Sequence, residues 1–218
     1  MVRFSSDVDI LKYEPALFGE LHLPWQVLAQ GAGVTLSGTT LLDAGADFTP
    51  AGIAAGDVIY LNSADGELDG AYEIVSVDSA TQLTVSVLRT DPADDPVAPP
   101  EGTDVSYRVS TFAPQAGEAA FQLTEHFGIQ PGYPTSPIDV DHIVDREVLR
   151  RVSVFAVIAS VYAMWANRTE CVGYWSKSLH YQQRFEKARQ RCRLSIDLGS
   201  DGIAELTRIG GAITLVRD

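Results

Sequence analysis

The stretch Asp145–Ala166, DREVLRRVSVFAVIASVYAMWA, limits the fold more than any other part of the chain. Val148, Leu149, Val152, Phe155, Ile158, Val161, Tyr162 and Trp165 recur along it and leave almost no polar face. A helix apolar nearly all round has to be covered on several sides. Its most apolar part, Val152–Ala166, falls short of the ~20 residues a bilayer span takes, and Arg146, Arg150 and Arg151 crowd its start. The remaining chain must therefore provide partners that bury this helix, as in a soluble protein with a substantial core.

Helical partners are legible on both sides of it. PQAGEAAFQLTEHFGI sets Ala120, Leu123 and Phe127 at helical spacing, and Gly128 suits the helix end. The proline-rich link QPGYPTSPID, 130–139, separates this helix from the apolar one. A third helix is predicted over 172–193, with Trp175, Leu179 and Phe185 facing in. Near the N-terminus, SDVDILK begins with cap-type residues and forms a short helical pattern that Pro15 interrupts.

Between Trp25 and Thr111 the pattern changes. GVTLSGTTLLDA, DVIYL, AYEIVSV, QLTVSVL and DVSYRVS are rich in Val, Ile, Tyr and Thr and are bounded by turn formers. AYEIVSVDSATQLTVSVL reads as a hairpin around DSAT. About six short strands are expected, enough for a small barrel or sandwich. TDPADDPVAPPEGTD, 90–104, is expected to be a mobile acidic loop. The fold class is therefore α+β: a helical bundle core of residues 1–24 and 112–202, an inserted β-barrel or sandwich module of residues 25–111, and an extended C-terminal arm, 203–218.

Charge divides along the same lines. Residues 1–140 hold 4 basic and 20 acidic side chains, and residues 141–218 hold 12 basic and 9 acidic, against a net charge of −13 overall. That balance argues against a simple nucleic-acid binder and gives the two parts different surfaces. The concentrated basic feature is Arg184, Lys187, Arg189, Arg191 and Arg193, at the end of the third helix. Contact with DNA or with an acidic protein rim is one reading, and a solvated face complementing the helix dipole is the other.

SIDLGSDGIAEL, residues 195–206, resembles a calcium loop in placing Asp197, Asp201 and Gly202 at template positions 1, 5 and 6. Gly199 and Arg208 occupy positions 3 and 12, where ligands are needed, so the stretch is read instead as a turn after a helix. The four histidines have no ligand spacing, Cys171 and Cys192 make neither a disulfide framework nor a zinc site, and the glycine pairs lack a phosphate-loop lysine. No catalytic, metal or cofactor residue is assigned, and the chain is not read as an enzyme. The N-terminus lacks the apolar run of a signal peptide. Ala212–Val216 is a β-capable run that suits addition to another sheet.

The order SSDVDILKYEPALF, a β insertion, STFAPQ, a long apolar helix, a basic helix and IDLGSDG resembles the head–tail adaptor, or connector, proteins of tailed bacteriophages. The resemblance rests on layout across most of the chain. It implies a structural virion protein at the head–tail junction, made in the host cytoplasm, with no cofactor and no membrane. Such adaptors form a homo-oligomeric ring of about twelve copies under the portal protein, receive a neck or tail protein below, and extend the channel through which double-stranded DNA passes. Carried onto this chain, the portal-docking residues are Ile203, Leu206, Ile209, Ile213, Leu215, Val216 and Arg217. The channel or acidic-partner residues are Arg184, Lys187, Arg189, Arg191 and Arg193. Two other readings stand beside it: a neighbouring neck or tail-completion protein, and a ligand-binding β module, for example for a glycan, with Tyr60, Tyr72 and Tyr107 as stacking residues.

Overall fold

The computed structural model describes residues 2–169, 171–199 and 201–210. The chain divides into two compact units, one of residues 6–112 and one of residues 1–5 with 113–218. Residues 6–24, expected with the helices, belong to the unit that holds the strands.

In that unit, helix α1 (Asp7–Leu11) is capped by Ser6, whose hydroxyl accepts from the Asp9 amide while the Asp9 carboxylate accepts from the Ser6 amide. Six strands follow: β1 (Val27–Ser37), β2 (Thr40–Leu42), β3 (Val58–Asn62), β4 (Asp69–Ser79), β5 (Gln82–Ser86) and β6 (Val105–Ser110). They close into an antiparallel barrel in the order β1-β2-β5-β4-β3-β6. Closure removes the free edges that an open sheet of this size would expose. Alternation decides what lies inside: Val105, Tyr107 and Val109 of β6 are buried with Leu41, Phe48, Ile59, Leu61, Ile74, Leu83 and Val85, while Ser106 and Arg108 face outward. Gly31 in β1 is required by this packing, because a Cβ there would stand 2.6 Å from the Tyr107 ring.

The segment 90–104 has almost no regular structure, yet both its ends and its middle are tied down. Arg89 makes a buried ion pair with Glu73 at 2.7 Å, and its guanidinium also donates to the carbonyls of Pro92 and Asp94. At the far end, Asp65 accepts from the Thr103 amide and hydroxyl at 2.9 and 2.7 Å. In the middle, the Val97 amide donates to Ser86 Oγ and the Val97 carbonyl accepts from the Val87 amide, each at 2.8 Å. The expected acidic loop is thus a tethered one.

The second unit contains α2 (Ala113–His126), α3 (Glu147–Thr169), α4 (Val172–Arg191) and the antiparallel pair β7 (Arg193–Ile196) and β8 (Leu206–Ile209). α3 packs against both α2 and α4. By length and composition it could cross a membrane, but 50% of its most apolar window is buried within the unit. α2 ends at the positive-φ Gly128, as its sequence predicts. The core joins Leu123, Phe127, Ile143, Leu149 and Val152 to Leu194 and Ile196 of β7.

Two expectations about the C-terminal part are corrected. The stretch 195–206 does not follow a helix, because α4 gives way at Cys192 and β7 comes first; the turn joins β7 to β8. Nor does the described part of the expected arm stand free of the unit, because Leu206–Ile209 pairs in register with Arg193–Ile196. Arg208 fastens this hairpin by donating to the Phe127 carbonyl at 2.7 Å, and the Gly210 amide donates to the Cys192 carbonyl at 2.9 Å. The run Ala212–Val216 lies outside the described residues.

Removing one partner of the Glu73–Arg89 pair strands a buried charge, a change that costs about 3–5 kcal/mol. Arg89→Ala is expected to lower the urea midpoint by a corresponding amount and to open 90–95 to limited proteolysis. An unchanged midpoint would show that the pair contributes little.

Candidate functional site: a basic groove between two helices

The site begins with how α4 lies on α3. Its inward stripe is Tyr174, Ser178, Tyr181, Phe185 and Ala188, spaced so that one helical face carries them all. Ser178 allows close approach, and its hydroxyl donates to the Ala159 carbonyl at 2.9 Å. Tyr162 of α3 stacks on Tyr181 with ring centroids 6.4 Å apart, and Lys177 donates to the Tyr162 hydroxyl at 2.9 Å. Phe185 packs partly buried, as expected, but Trp175 and Leu179 do not face in: they are 48% and 43% exposed. The reason is geometric. Both lie on the side of α4 turned away from Tyr181, where no further element among the described residues covers them.

Towards the C-terminal half of α4 the two helices bound a groove of ≈ 540 Å³. Its floor is apolar, formed by Val148, Val152, Phe155 and Ala188. Its rim is cationic, formed by Arg151, Arg184, Lys187, Arg191 and Arg193. No acidic side chain lines it among the described residues. The Arg184 guanidinium sits 4.4 Å from the Phe155 ring centroid and that of Arg151 sits 5.5 Å from it, so cation–π contacts hold two of the cations against the floor.

The structure therefore brings together four of the five basic residues singled out from the sequence. Arg189 is the exception: it lies over Phe185 at 5.0 Å and does not line the groove. Arg151 is the member that sequence reasoning missed as a site residue. It stands far from α4 in sequence, and only the pairing of the two helices makes it a neighbour of Arg184. An apolar floor inside a basic rim suits an acidic, partly apolar polypeptide better than a phosphate backbone, which offers nothing to the floor.

Cys192 also lines the groove, and burial followed by the nearby Asp145 charge pushes its thiol up to about 11. The thiolate is the reactive form, so at pH 8 Cys192 should alkylate roughly a hundredfold more slowly than a thiol of ordinary pKa. With iodoacetamide at that pH, Cys171 is expected to react in the native protein and Cys192 only after unfolding. Equal rates would overturn the burial assigned to this end of the groove.

Of the residues expected to dock onto a portal, Ile203, Leu206 and Ile209 are exposed, and the last two stand on β8. Ile213, Leu215, Val216 and Arg217 lie outside the described residues. Within the β7–β8 turn, ligand atoms of Asp197, Asp201 and Glu205 come within 4.8 Å of one another, the donor type a hard cation takes. Their hydrogen bonds already account for the turn: Asp197 accepts from the amides of Asp201 and Gly202, and Glu205 from that of Leu198.

Of the tyrosines considered for ligand stacking, Tyr60 and Tyr107 line one cavity of ≈ 580 Å³ on the barrel, and all three also make contacts within the unit. Tyr107 points into the barrel core and donates to Asp43 at 2.9 Å. Tyr60 has Arg108 over one face at 5.2 Å and Gly19 against its ring, and it donates to Asp69; that hydrogen bond leads the causes raising its pKa to about 12. Tyr72 is half-buried against the barrel core. In comparisons with known proteins, no family model, no curated protein and no solved structure matches this chain.

Proposed function

We propose that this chain is a structural subunit of the head–tail junction of a tailed-phage particle, an adaptor that assembles as a ring beneath a portal. The observation that carries the reading is the insertion of the barrel: the unit of residues 6–112 interrupts a second unit built from both chain flanks. The inserted unit holds 3 basic and 17 acidic residues, and the flanking unit 13 and 12. A ring subunit needs two unlike surfaces, because contacts in a cyclic assembly are heterologous, and this division supplies them. In this reading the helices form the core of the ring.

The portal-docking segment is 203–218. Its described part supports the role through β8, the outer strand of a two-stranded sheet, with Leu206 and Ile209 exposed and available for strand addition. A docking segment weak by itself gains strongly when many copies engage one ring. The partners are then other copies of the chain, the portal and a downstream neck or tail protein, with DNA passing through the channel. The role asks for no catalysis and no cofactor.

The test is electron microscopy of the tagged chain recovered from cells that produce its particle. Rings of about twelve copies stacked on a second ring are expected. Leu206→Asp with Ile209→Asp should keep the rings and lose the stack. Recovery as a lone chain, apart from any particle or second ring, would overturn the reading.

A further inference from the structure

The basic groove has a counterpart in the same polypeptide. The tethered loop of the barrel unit carries Asp95, Val97 and Glu101, all exposed, with Val97 57% accessible. An exposed valine between two carboxylates has the chemistry that an apolar floor within a cationic rim would take. Three prolines, Pro96, Pro99 and Pro100, stiffen the run, and Arg89, Ser86 and Asp65 fix its two ends and its middle. A segment held in one conformation before binding loses little entropy when it docks.

We propose that the α3–α4 groove receives the acidic loop around Asp95–Glu101 from a second copy of this chain. Val97 lies on the floor near Phe155 and Ala188, and the carboxylates of Asp95 and Glu101 meet the cations on the rim. Charge complementarity selects this occupant, since the loop's unit carries 17 acidic side chains against 3 basic ones and the groove carries five cations. The contact joins two different faces, so each copy keeps one loop and one groove open for the next. The inference rests on the reading of the chain as a self-assembling ring subunit and names the surfaces that would join its copies.

Charge reversal with the full chain tests it, read by sedimentation velocity over concentrations up to about 1 mM. The wild-type chain is expected to gain mass with concentration. Lys187→Glu with Arg191→Glu, or Asp95→Lys with Glu101→Lys, should each weaken that association by about tenfold or more. Circular dichroism and thermal unfolding verify that both variants fold as the wild type does. Mixing the two variants should restore association, because the reversed groove of one meets the reversed loop of the other. Val97→Asp should weaken it without any change on the groove.

A wild-type chain that stays monomeric throughout overturns the proposal and leaves the groove to an acidic segment of another protein. Reversals that change folding stability but not association overturn it as well. Rings that form by microscopy regardless of both reversals overturn the loop–groove contact and leave the adaptor reading standing. Absence of rings in particles, with the charge-swap rescue intact, has the opposite meaning.

Discussion

The seating of α4 on α3 is the contact on which the second unit depends. Ser178 is small enough to let the helices approach, and it satisfies its hydroxyl on the Ala159 carbonyl instead of leaving it buried and unpaired. Beside it, Tyr162 and Tyr181 stack, and Phe155 lies 6.1 Å from Tyr181. This ladder of rings covers the side of α3 that meets α4, and an all-apolar helix requires such cover. It also places Phe155 as the floor of the groove and holds Arg184 and Arg151 above it. The groove is therefore a by-product of the same packing that buries α3.

The barrel unit obeys a different constraint. A six-stranded sheet of short strands becomes self-sufficient by closing, and closing needs β1 to meet both β2 and β6. Once closed, its surface is free to carry charge without exposing ladder edges. Apart from the buried Asp7 and Glu73, acidic residues collect on the outside and on the loop 90–104, which the buried Arg89–Glu73 ion pair anchors. An acidic barrel and a helical pair with a basic groove are complementary surfaces made from one chain.

Much of this was legible in the sequence. The apolar run through α3 announced a covered helix, because no other arrangement satisfies a helix with no polar face. The alternating Val, Ile, Tyr and Thr segments announced the strands, and DSAT announced the β4–β5 turn. Less legible was the inward face of α4. Trp175 and Leu179 rank as more hydrophobic than Ser178 and Tyr181, yet the latter pair is buried, because packing rewards fit and a satisfied hydroxyl as well as hydropathy. The β7–β8 hairpin left a trace that could have been read: Leu194 and Ile196 alternate with Arg193 and Ser195, a strand period directly after the helix. The basic residues at the end of α4 were visible, but the groove was not, since Arg151 and Phe155 join them only through the helix pairing.

By itself, then, the sequence determined the long helices and the barrel strands, the α+β class and the split in charge, because periodicity, turn chemistry and composition are local properties. Tertiary structure alone decided that the strands close into a barrel, that Leu206–Ile209 returns to pair with β7, and that four basic residues of the C-terminal segment share a rim with Arg151. Each of these depends on contacts between residues distant along the chain, and their geometry follows from which surfaces can be buried together.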